Sequence, residues 1–269
     1  MARAPRSVAG YTLHARRRGM VGWVLGVIAM AAFTVGLWPA LPDPTELQQL
    51  LESVPEGVLA VFGASGDVFL SPAGYLDGRL FALIAPLVLL LFAVGAVTAA
   101  TAGEEAAGRL ELLLSAPVSR RRVILEKAGA VALLVVVLAV LLFTTLVVGV
   151  AAVRLDMGVA QLAAACVSLV LLTWALAALA LAIAGATGRR GLSLGVTAAV
   201  AVAGYLVDSF APLVDSLAGV RPASPFYLYR GNQPLVNGLD PLHAGTLAAA
   251  TLLLVAVAAW SFDRRDIGT

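Results

Sequence analysis

Few residues of this 269-residue chain have a type and spacing that could do chemistry. One serine sits in a glycine-flanked stretch, Gly63-Ala64-Ser65-Gly66, and the two histidines are His14 and His243. A serine activated by a histidine base is an acyl-transfer nucleophile, and Ser65 with His243 is the only such pairing worth weighing. A chain with 26 glycines produces GxSG readily, so the plainer reading of that stretch is a turn. His14 lies in a basic segment and reads as an interfacial residue rather than a ligand. The single cysteine, Cys166, permits no intrachain disulfide and reads as a small apolar filler. No metal-ligand or cofactor motif is found. The chain also lacks GxxxxGK[ST], because its one lysine, Lys127, follows Glu126. It therefore does not hydrolyse ATP through a P-loop, and uphill work would draw its energy from another polypeptide.

The richest segment is 103–127. Between Glu104 and Ser115, acids alternate with leucines, and Leu110, Leu113 and Leu114 share one helical face. Pro117 forces a turn. Ser119 is placed to cap a following helix that runs on into an apolar stretch. A short helix with an apolar stripe and charged flanks is suited to docking into a groove on a partner. A charged turn that only sets topology would explain Arg120, Arg121 and Arg122. It would not explain Gly108, the leucine stripe, Pro117 and Ser119 in that order.

Composition decides which elements hold these residues. Hydrophobic residues make up 61% of the chain and charged residues 13%. A soluble domain carries about 25% charged residues, and so apolar a chain cannot hide its surface in one globular core. Lipid as solvent removes the difficulty. A span needs ~20 mostly apolar residues. The expected spans are 20–39, 80–102 (with a kink at Pro86), 128–153, 161–186, 192–207 and 244–262. The first is too long for a signal-peptide core and reads as a membrane span. No acidic or basic residue falls mid-span, which argues against a proton pump or ion-coupled carrier. Nothing calls for nucleic acid as a partner.

Arginine placement sets the orientation. With the N-terminus inside, 14 of the 18 Lys and Arg residues fall in inner segments: 1–19, 103–127, 188–191 and the tail after Phe262. The split predicts an all-α membrane protein, a single domain over 1–269 with both termini cytoplasmic. Segment 1–19 is basic and suits a helix on the inner membrane face, against anionic lipid. The outer segment 41–78 opens with Asp43-Pro44-Thr45-Glu46, a helix-start signature, and predicts an amphipathic helix. The outer segment 208–243 holds five prolines among aromatics, and predicts short helices or a re-entrant hairpin. The near-exclusive use of arginine, with abundant Ala, Gly and Val, points to a GC-rich prokaryotic genome and hence a cell-membrane location.

The pattern E-x-x-x-G-x-L-E-L-L-L-x-x-P-V-S-R, from Glu104 to Arg120, resembles the membrane subunits of ABC-2 type (type V) ABC transporters. The tail Phe262-Asp263-Arg264-Arg265-Asp266-Ile267 is similar to that family's F-x-R-R-D-[IL] ending. The resemblance implies a six-helix permease, an exporter in most cases, paired with a second permease subunit of the same or another kind. A separate ATPase subunit would carry ATP and Mg. Segment 103–119 would be its coupling helix, with Glu104, Glu105, Gly108, Arg109, Glu111, Leu112, Leu113, Leu114, Pro117, Ser119 and Arg120 as coupling residues. Segment 1–19 would be the connecting helix, and spans two and five would line a mostly apolar substrate path. Two alternatives remain. The GxSG of Ser65 resembles the nucleophile of rhomboid intramembrane proteases, although there the serine starts the fourth helix. A non-transporting membrane scaffold is the other.

Overall fold

The computed structural model describes residues 8–40, 71–106 and 119–265. The first helix, α1, runs unbroken from Val8 to Gly36. The boundary expected at residue 19 is therefore not a break in the backbone. No proline interrupts the run, and the helical hydrogen bonds continue from the basic segment into the apolar one. A 3-10 turn at Trp38–Ala40 ends it.

The second span is segmented. Ser71 caps α2, Pro72–Leu76, its Oγ accepting from the Gly74 amide at 3.1 Å. A π-helical turn follows at Asp77–Phe81, and α3, Ile84–Ala100, begins after a distorted Leu83 (φ −136°, ψ −50°). The expected kink at Pro86 takes this form. Restarting the helix at Ile84 puts Pro86 in the first turn of α3, where an amide has no intrahelical partner to lose. After Thr101 comes a short helix, α4, Ala102–Ala106.

The remaining spans are longer than their apolar cores. Helix α5 covers Arg120–Ala152, α6 Val159–Thr187, α7 Arg190–Phe210 and α10 Pro241–Arg264. Ser119 caps α5 as expected, accepting from the Arg122 amide at 3.4 Å. Asp240 caps α10, ahead of Pro241 in the first turn. Between α7 and α10 lie four short pieces: α8 Asp215–Ala218, a 3-10 turn Arg221–Ala223, α9 Pro225–Arg230, and a π-helical turn Gln233–Asn237. Pro222, Pro225 and Pro234 each sit at the start of a piece, the position that tolerates a missing N–H. Short helices of this kind are among the forms expected for 208–243.

Among the described residues no strand is found, and six helices are long and apolar enough to cross a membrane. Helix α6 is the centre of the bundle, with 67% of its span buried against 11% for α10. It packs on α3, α5, α7, α10, α9 and the π-helical turn Gln233–Asn237, while α1 lies on the outside against α5. At Gly185, α6 and α10 come so close that a Cβ would sit 3.0 Å from the Ala258 carbonyl oxygen. The amphipathic helix expected within 41–78 lies outside the described residues.

Candidate functional site

One end of the bundle gathers the arginine-rich ends of the spans. Of the expected coupling residues, Glu104, Glu105, Ser119 and Arg120 lie there. Gly108, Arg109, Glu111, Leu112, Leu113, Leu114 and Pro117 lie outside the described residues.

The four described members do not face outward as a set. Glu104, on α4, accepts a hydrogen bond from Lys127 Nζ at 2.7 Å. Lys127 is the eighth residue of α5 and is 2% exposed. Its ammonium also donates to the Ala100 carbonyl at 2.6 Å. Ala100 is the last residue of α3, so a cation from the third span closes the carbonyl end of the second, where the helix dipole is negative. The hydrogen bonds satisfy a charge that burial would otherwise make very costly.

Glu105 pairs with Arg265, at the end of α10, through Glu105 Oε2 and Arg265 Nη2. Arg265 Nη1 donates to the Ala184 carbonyl in the last turn of α6 at 3.2 Å. Its own carbonyl accepts from Arg120 Nη1 at 2.7 Å. Arg265 thus ties α4, α5, α6 and α10 together. Gly188 ends α6 at φ +65°, a left-handed conformation that favours glycine. A Cβ there would lie 2.7 Å from Arg265 Nη1 and 2.9 Å from Glu105 Oε1. The backbone conformation favours glycine, and a side chain there would also displace the flexible ends of the ion pair packed on it.

Two more ion pairs border this core. Arg121 Nε meets Asp263 Oδ2 at 2.9 Å, joining α5 to α10. Arg122 Nε meets Glu126 Oε1 at 2.7 Å within α5. The residues that sequence reasoning did not place in the site are Lys127, Arg265 and Gly188. Two signals were available: Lys127 is the chain's one lysine, and Arg265 is part of the tail motif.

The opposite end has its own polar framework, part buried and part exposed. Arg230 Nη2 lies 2.5 Å from Asp77 Oδ2, and Tyr229 donates to the Phe81 carbonyl at 3.0 Å. Both bonds pin α9 to the π-helical turn of the second span. Arg221 Nε lies 3.0 Å from Asp208 Oδ1, and Ser224 donates to the Gly204 carbonyl at 2.7 Å. Asp240 accepts from the amides of Leu242 (2.7 Å) and His243 (3.2 Å). The amide of His243, then that of Leu242, hold its carboxyl below the ordinary 3.8. The His243 ring packs against that of Tyr227, tilted by 58° with centroids 5.1 Å apart. Ser65, its candidate partner, lies outside the described residues.

Six membrane-length helices, with the basic residues of several helix ends knotted at one end of the bundle, define a multi-pass membrane protein. The sequence matches the family described as ABC-2 family transporter protein over residues 7–267, essentially its whole length. The chain therefore belongs to the ABC-2 transporter family and is the membrane component, a permease, of an ABC transporter. That assignment is to a transport component rather than to an intramembrane protease. No individual curated protein matches the chain in the corresponding comparison.

Proposed function

We propose that this permease is a subunit of an ATP-driven exporter, with its arginine-bearing end in the cytoplasm. It forms the substrate path with a second permease subunit. A separate ATPase subunit, holding ATP and Mg, engages the segment between the second and third spans. The cell membrane of a prokaryote is the compartment that fits this reading.

The observation that carries the proposal is the anchoring of α4, the root of that segment. Glu104 fixes it to the third span through Lys127. Glu105 fixes it to the sixth span through Arg265, and Arg265 extends the tie to the fourth span at Ala184. Displacement of the segment by an ATPase would then be shared among four spans instead of being absorbed by a loose loop. Ion-pair networks and rigid helices of this kind can carry energetic coupling between two sites. Glu104 and Glu105 act in this scheme as anchors of the coupling segment. Leu112, Leu113 and Leu114 are left to dock on the ATPase, with Gly108, Arg109 and Glu111 around them, and Pro117, Ser119 and Arg120 returning the chain to the third span. An apolar path along spans two and five suits an amphipathic or lipid-like substrate.

The test is purification of the tagged chain from its native membrane, with identification of co-purifying proteins and an ATPase assay. A stoichiometric P-loop ATPase is expected, and it should be lost in the Leu112→Asp/Leu113→Asp variant. A chain that purifies alone and without ATPase activity, in detergents that preserve known membrane complexes, would overturn the proposal.

A further inference from the structure

A groove of about 280 Å³ lies between α5 and α10, floored by α6. Leu125, Gly129 and Ala132 form one wall, Val255 the other, and Trp174 and Leu181 the floor. It is lined mainly by the third, fourth and sixth spans, and Val97 of the second span also reaches it. Leu125 is 47% exposed and Gly129 is exposed, so the groove opens sideways, toward whatever surrounds the bundle.

The chemistry of the walls limits what can fill it. Two side chains in the lining carry polar atoms, and both are already bonded within the protein. Thr251 Oγ1 donates to the Leu247 carbonyl at 2.8 Å. Trp174 Nε1 donates to the Ala132 carbonyl at 3.3 Å. The lining thus presents alkyl and aromatic surface and little to hydrogen-bond, which suits a hydrocarbon chain. From Leu125 to Val135 the groove follows α5 for ~15 Å, half of the ~30 Å hydrocarbon thickness of a bilayer. That is the depth of one leaflet.

The mouth is cationic. Arg121 and Arg122 precede Leu125 by four and three residues, so they share its helical face. Their side chains are 60% and 68% exposed. The Arg121–Asp263 pair bridges the two walls of the groove at this end. Among the described residues here, Glu104, Glu105, Glu126 and Asp263 each pair with one cation. Arg120 and Arg264 have no carboxylate partner among the described residues, so among these residues positive charge is in excess at the mouth. A basic rim above an apolar inter-helix groove is the arrangement that holds an anionic headgroup over an acyl chain.

We infer that this groove binds one acyl chain of an anionic membrane phospholipid, with the headgroup at Arg121 and Arg122. The site is a lipid site and depends neither on the orientation of the protein nor on the ATPase.

Gly129 makes the test clean. A Cβ built on it meets no heavy atom within 4 Å, so the backbone has room for a side chain that enters the groove, as in Gly129→Leu. The experiment is native mass spectrometry of the purified full chain, titrated with phosphatidylglycerol or with phosphatidylcholine of the same acyl chains. Thermal unfolding in detergent is followed in parallel. The expected result is one retained phosphatidylglycerol per chain that raises the unfolding temperature, with weaker retention of phosphatidylcholine. Gly129→Leu should abolish the retained lipid and the shift while unfolding no earlier than wild type without lipid. Arg121→Gln/Arg122→Gln should keep acyl binding but lose the headgroup preference, about fivefold per arginine. Equal retention of the two lipids by wild type overturns the anionic site. Undiminished phosphatidylglycerol binding by Gly129→Leu overturns the groove as its location.

Discussion

Lys127 and Glu104 meet 2.7 Å apart with the lysine almost wholly enclosed, joining the third span to the short helix that follows the second. Removing either partner leaves a buried charge uncompensated, which costs about 3 kcal/mol or more. Lys127→Met and Glu104→Gln should each lower stability by that order. The double variant should lose at least ~1 kcal/mol less than the sum of the two. Unfolding of the four proteins in the same detergent measures the cycle. Additive effects would mean that the two groups do not interact.

Gly188 carries both a left-handed backbone and the packed Glu105–Arg265 pair. Gly188→Ala should destabilise by at least ~1–2 kcal/mol, the backbone strain alone accounting for about that much. Glu105→Gln/Arg265→Gln should lessen the penalty of the alanine, because the clash partners become neutral and mobile. Unfolding temperatures of the variants decide it. An alanine variant as stable as wild type would contradict the tight packing around this turn.

Ser119 caps the helix of the third span, and its cap bond is long at 3.4 Å. Ser119→Ala should therefore fall at the lower end of cap losses, about 0.5–1 kcal/mol, and Ser119→Gly lower still. Amide exchange in the first turn of α5 should quicken in the alanine variant. Unchanged protection of that turn would show that the cap contributes nothing.

Asp240 has a depressed folded-state pKa, so the stability it contributes is present above the ordinary 3.8. It is lost as pH falls through that value toward the lower folded-state one. Asp240→Asn retains an acceptor for the two amides but has no charge to titrate. The unfolding temperature of wild type should therefore drop relative to Asp240→Asn as pH is lowered below about 4. Parallel curves for the two proteins would rule out a titrating cap.

Much of the architecture was legible from local signals. The six spans followed from runs of apolar residues, because a lipid-facing helix must be apolar along its whole length. The cap at Ser119 and the short helices begun by Pro222, Pro225 and Pro234 followed from single residues whose backbone chemistry is local. Helix ends were harder. Hydropathy marks the apolar core, whereas the helix continues while its backbone can hydrogen-bond, so α7 runs from Arg190 to Phe210 and not from 192 to 207. The second span began earlier than its apolar run, and Pro86 acted by restarting the helix instead of bending it.

The candidate site divides along the same line. By itself the sequence determined a six-span permease, the segment between its second and third spans, and the residue types that segment offers. The tertiary structure alone decided that Glu104 and Glu105 face inward, onto Lys127 and Arg265, which lie 23 and 160 residues further along the chain. Packing of α6 against α10 brings Arg265 to Ala184, and no spacing within either helix encodes that meeting. Hydropathy and caps are properties of neighbours along the chain. Ion-pair partners, and the groove left between α5 and α10, are properties of how whole helices settle against one another.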